Sequence, residues 1–172
     1  MKTLTLVTAA AVAALALASA AAAKGPSEAK ITGPGLASPL TITGAGEGDT
    51  STALGLLVID GGFFPQVFGQ SPNPLLAAQP TDLGARYLVT YTVPGQTTST
   101  LEQELYPYAA GGPVTYMRPS QTFWDTQRTH GGWFRGSARL AAMLENAGLP
   151  RSAPAERDYI ALVMRILLRH IL

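Results

Sequence analysis

The sequence predicts a single α+β domain: a small antiparallel sheet made of an N-terminal hairpin plus a meander, covered by one or two helices, with a C-terminal amphipathic helix beyond it. Three observations carry that expectation. Short runs of alternating apolar and polar residues recur between Gly/Pro turns, and one later segment switches to helical spacing between a serine and a glycine. The chain has no cysteine, so the fold must rest on its hydrophobic core, for which the length is sufficient.

Residues 1–23 are expected to be a cleavable export signal rather than part of this fold. Lys2 supplies the positive start, Leu4 to Leu17 the apolar run, and Ala18-Ser19-Ala20 or Ala21-Ala22-Ala23 the small-residue cleavage site. An uncleaved anchor is the competing reading, and the alanine-rich, weakly apolar character of the run argues against it. The mature domain is then expected over residues 24–150, with a linker and helix over residues 151–172.

Within the domain, Glu28 to Thr32 and Pro39 to Thr43 carry β-branched residues on either side of Gly33-Pro34-Gly35, which predicts a hairpin. Asp49 or Thr50 is placed to cap a helix through Ala53, Leu54, Leu56, Leu57 and Ile59. Gly55 and Val58 weaken that helix, and a buried strand fits the same apolar run. Residues 61–79 are expected to be an irregular loop turning Phe63, Phe64, Val67 and Phe68 inward. The clearest strand is Arg86 to Val93, with Tyr87, Val89, Tyr91 and Val93 on one face. Thr98 to Tyr106 is its expected partner, with Leu101 and Leu105 opposed to Glu102 and Glu104, and Val114 to Arg118 completes the meander. Ser137 then starts a helix with Leu140, Ala141, Leu144 and Ala147 on one stripe, ended by Gly148 ahead of Pro150.

Charge and motif content exclude several chemistries. Twelve Lys and Arg face eleven Asp and Glu, and without Lys2 the signs balance, so the basic field that nucleic acid requires is missing. Gly44, Gly46 and Gly48 do not have dinucleotide-fingerprint spacing. With two histidines and no cysteine, neither a His-rich metal site nor an ordinary structural zinc site can be built. Glu47-Gly48-Asp49 and Asp60-Gly61-Gly62 lack the spacing of a calcium loop. No cofactor is expected. His130 is the one neutral-pH base of the domain, with Ser120, Thr122, Asp125, Thr126 and Thr129 near it in sequence, but no Gly-x-Ser-x-Gly nucleophile motif accompanies it. Glu102 and Glu104 share a strand face and read as solubility residues rather than a glycosidase pair.

Over half of the aromatic residues lie between Tyr106 and Phe134. Tyr106, Tyr108, Tyr116, Arg118, Trp124, Trp133 and Arg135 are the candidate contact surface, since aromatic rings with arginines suit a stacking surface for a glycan, peptide or protein. The competing reading makes them the core and rim of a small sheet.

Ile31-Thr32-Gly33-Pro34-Gly35-Leu36, Pro39-Leu40-Thr41-Ile42, Leu83-Gly84-Ala85-Arg86-Tyr87, Leu105-Tyr106-Pro107-Tyr108-Ala109 with Gly111-Gly112-Pro113, and Trp133-Phe134 before a helix ending in Ala147-Gly148 occur in that order. In these pieces, over about residues 28–149, the chain resembles an uncharacterised family of small secreted actinobacterial proteins. The resemblance implies a small secreted α+β domain and brings no catalytic residues. The stretch around residue 55 and the tail beyond Arg151 depart from its pattern.

In residues 156–172, Arg157, Ala161, Arg165 and Arg169 form a narrow stripe every four residues, and apolar side chains cover most of the remaining arc. The apolar part, about 14 residues or roughly 21 Å as a helix, is too short to span a bilayer. Its cover is the parent domain, a second copy in a homodimer, or a membrane surface. The function expected from these readings is binding, without catalysis, to an envelope component or protein after export. Two alternatives stay open: an extracytoplasmic hydrolase using His130, and a peripheral membrane protein attached through its C-terminal helix.

Overall fold

A computed structural model describes residues 25–46 and 48–154. The export-signal reading of residues 1–23 and the amphipathic-helix reading of residues 156–172 lie outside the described residues. Strands β1 (Glu28–Thr32) and β2 (Leu40–Thr43) pair antiparallel as the expected hairpin, with Glu28 opposite Thr43 and Ile31 opposite Leu40. The chain then forms α1 (Ala53–Asp60) and α2 (Phe63–Phe68) before β3 (Tyr87–Val93) docks on the other edge of β1. Strands β4 (Ser99–Tyr106) and β5 (Val114–Met117) continue the meander. A separate two-stranded ribbon of β6 (Thr122–Phe123) and β7 (Gln127–Arg128) follows, then β8 (Gly132–Arg135) pairs with β5, and α3 (Ala138–Ala147) comes last. The main sheet runs β2-β1-β3-β4-β5-β8, every neighbour antiparallel. This is the predicted α+β architecture.

Strand alternation selects the buried face. Ala29, Ile31, Tyr87, Val89, Tyr91, Val93, Leu101 and Leu105 are buried and join Leu54, Leu57 and Val58 of α1, Phe63 and Val67 of α2, and Leu140 and Leu144 of α3 in one core. The helices therefore cover a single face of the sheet. Between Asp49 and Asp60 the helix is realised and the buried strand is not. Its N-cap is Thr52, two or three residues later than Thr50 or Asp49 would place it, and the Thr52 Oγ1 accepts from Gly55 N–H at 3.0 Å.

Residues 61–79 differ from the expected irregular loop, because Phe63–Phe68 close into a helix. Gly62 enters it in the left-handed region at φ 71°, and Pro65 lies in the first turn, where its missing N–H forfeits no helical bond. Phe63 and Val67 turn inward as expected, but Phe68 is 47% exposed. A second difference is β8, four residues inside the aromatic segment that the sequence does not distinguish as a strand. The third helix keeps its predicted ends: the Ser137 hydroxyl accepts from Arg139 and Leu140 N–H, and Gly148 terminates it at φ 117°.

A polar cluster is sealed between the α1–α2 turn and the sheet. The Tyr91 hydroxyl donates to Gln103 Oε1 at 2.8 Å, and Gln103 Nε2 donates to Gly61 O at 2.9 Å and to Gln66 Oε1. Gln66 Nε2 donates to Gly132 O at 2.8 Å, while Thr115 Oγ1 donates to Gly61 O at 2.8 Å. Among the described residues no buried side-chain polar atom lacks a partner, so the cluster locks the helices onto the sheet without orphaned groups.

Candidate functional site

Because the helices cover one face, the alternate phase of the same strands is left on the other. Register aligns Leu88, Glu104, Tyr116 and Trp133 in a row across β3, β4, β5 and β8, with Thr90 and Glu102 in the next row. This face holds a trough of about 790 Å³ whose walls include Thr32, Gly33, Pro34, Arg86, Leu88, Glu102, Glu104, Tyr116 and Arg118. That volume lies in the range of small-molecule sites.

Two ion pairs cross the trough. Arg86 Nη1 lies 3.0 Å from Glu104 Oε1, and Arg118 Nη2 lies 3.2 Å from Glu102 Oε2. Arg86 approaches from the β3 side of β4 and Arg118 from the β5 side, so positive and negative groups alternate. Both arginine side chains are about two-thirds exposed, which limits each pair to roughly 0–1 kcal/mol of stability. The Tyr106 hydroxyl donates to Glu104 Oε2 at 2.5 Å. Burial, reinforced by that bond to a carboxylate, pushes the Tyr106 phenol well above the usual tyrosine range, so it stays a proton donor. Beside it Trp133 packs against Tyr116 with centroids 4.5 Å apart and ring planes tilted by 30°, and leans on Tyr106 at 5.9 Å. A smaller apolar cluster of Tyr106, Ala109 and Val114, flanked by Leu83 and Trp133, supports this end of the face.

The structure therefore brings together Tyr106, Tyr116, Arg118 and Trp133 from the candidate surface read in the sequence. Arg135 is on β8 too, but its Nη1 donates to Ala110 O at 2.9 Å and Gly112 O at 3.2 Å, which ties down the β4–β5 turn. Tyr108 lies apart: its ring meets Tyr87 edge-on and its hydroxyl donates to Pro150 O at 2.6 Å. Trp124 is separate again. Its Nε1 donates to Pro94 O at 2.9 Å and its ring rests against Phe68 and Phe123, latching the β6–β7 ribbon to the β3–β4 turn. Sequence reasoning missed Arg86, Glu102 and Glu104 as site residues. The shared face of the two glutamates was readable, but their arginine partners come from neighbouring strands and depend on register.

His130 is exposed. Its main-chain N–H donates to Val67 O at 3.0 Å, and its ring lies over Gly69. Among the described residues its ring makes no hydrogen bond to a hydroxyl or carboxylate, and the nearby Thr129 hydroxyl donates to Arg118 O at 2.9 Å. Among the described residues, too, no three His, Asp or Glu side chains converge as a metal site requires, and no helix is long and apolar enough to cross a membrane. Comparison of the chain with family models, with curated proteins and with solved structures finds no match.

Proposed function

We propose that this chain is an exported protein of the cell envelope or its surroundings that acts by binding, through the open face of its sheet, without catalysing a reaction. The observation that carries the reading is the one-sided cover: three helices protect one face, while the other presents an ion-paired, aromatic-edged trough. The arginines, glutamates and tyrosine hydroxyl of the trough are paired with one another, an arrangement that suits recognition. Export rests on the charge, apolar run and small-residue site of residues 1–23.

The amphipathic sequence of residues 156–172 supports a second reading, attachment to a membrane surface through that segment. One experiment separates the two. The mature chain, residues 24–172, is co-sedimented with wall and membrane fractions of its own organism, beside Arg86→Ala/Arg118→Ala and a version ending at Pro154. Ending at Pro154 keeps the Pro150 contact with Tyr108 and the packing of Pro154 against Gly35. Retention lost in the double variant and kept on truncation supports the trough. The reverse pattern supports the tail, and no retention of the intact chain contradicts both.

A further inference from the structure

Resting on that binding reading, we infer that the trough takes a neutral saccharide. Two guanidinium and two carboxylate groups line the trough and are already paired, so its net charge is zero. An anionic ligand at the arginines would be repelled by the adjacent Glu102 and Glu104, and a cationic one at the glutamates would be repelled by Arg86 and Arg118. A neutral hydroxyl group meets neither repulsion, and it accepts from a guanidinium N–H and donates to a carboxylate oxygen at the same time.

Donor and acceptor supply match that use. Among the described residues, Arg86 engages Glu104 through Nη1 and Arg118 engages Glu102 through Nη2, and a guanidinium carries five N–H groups. Glu102 Oε2 receives Arg118, while both oxygens of Glu104 are engaged, one by Arg86 and one by Tyr106. The free donors and acceptor are thus spread around Leu88 and the Tyr116–Trp133 ring pair, which offer apolar surface to the C–H face of a sugar ring. Open volume, alternating polarity and an apolar floor together describe a polyhydroxylated, uncharged ligand better than an extended peptide. A peptide adding as a strand would need an unpaired strand edge, and the trough lies across the interior strands β3, β4 and β5.

The test titrates the mature chain, residues 24–172, with cellohexaose, laminarihexaose, mannohexaose and chitohexaose, and in parallel with polygalacturonate, read by amide NMR shifts and calorimetry. The expected result is saturable binding of at least one neutral hexaose with shifts at Leu88, Glu104 and Tyr116. Its affinity should fall about tenfold or more in Arg118→Ala and in Tyr116→Ala and stay unchanged in Arg128→Ala, whose guanidinium is engaged on the β6–β7 ribbon. Raising salt from about 50 to 500 mM should change the affinity little. No binding of any neutral hexaose, binding of polygalacturonate alone with steep salt dependence, or neutral binding that survives both variants overturns the assignment. Envelope retention that still depends on Arg86 and Arg118 would then leave the binding reading standing, whereas its absence removes both.

Discussion

At Gly55 a familiar exchange changes sign. Glycine inside a helix is ordinarily about 1 kcal/mol worse than alanine, and on that ground Gly55 weakens the sequence case for α1. In the structure a Cβ there would lie 1.9 Å from Asp49 O and 2.9 Å from Thr52 Oγ1, so the methyl group would push out the loop that caps the helix. Gly55→Ala is expected to lower stability by about 2 kcal/mol or more, measured by urea unfolding; a gain would show that the loop yields. Gln103 was legible as a position and not as a role. It falls between Leu101 and Leu105 on the buried phase of β4, but its partners Gly61 and Gln66 are about forty residues away and come together only in the fold. Gln103→Ala leaves the Tyr91 hydroxyl and Gln66 Oε1 without a partner and should cost about 2–4 kcal/mol. Tyr91 gives a pH signature. Burial raises its folded phenol pKa above the unfolded value near 10, so its stabilisation is complete below about pH 10 and falls by about 1.4 kcal/mol per pH unit above it. Tyr91→Phe should flatten that alkaline limb in melting curves, and an unchanged limb would contradict the assignment.

Elements with a strong local signal were readable, and those made by tertiary contacts were not. Strands β1, β3 and β4 alternate over five to eight residues, and α3 has both a serine cap and a glycine stop. Helix α2 has only six residues with a proline among them, and it is held by aromatic packing of Phe63 on Tyr91 with centroids 4.8 Å apart. Strand β8 is four residues that start at Gly132, and its pairing with β5 supplies the order that its own sequence does not. The α3 cap makes a local claim testable. Ser137 accepts from two helical N–H groups and donates to Asp60, which also meets Arg139 at 3.3 Å. Ser137→Ala should cost about 1 kcal/mol or somewhat more, with early hydrogen exchange confined to the first turn of α3; loss spread evenly over the sheet would argue against a capping role.

At the scale of the whole molecule, the helices and main core occupy one face of the sheet, and the proposed function places recognition on the other. Removing the exposed pairs with Arg86→Ala/Arg118→Ala is therefore expected to change unfolding free energy by no more than about 2 kcal/mol, while abolishing envelope retention. A large stability loss with retention intact would reverse the assignment. The most direct measurement is hydroxyl-radical footprinting of the mature chain, free and bound to its envelope fraction. Leu88 lies on the open face, whereas Ile59 and Phe68 lie on the helical side, and all three are comparably exposed. The account predicts shielding of Leu88, Tyr116 and Trp133 on binding, with Ile59 and Phe68 unchanged. Shielding of Ile59 and Phe68 with Leu88 still reactive would contradict it.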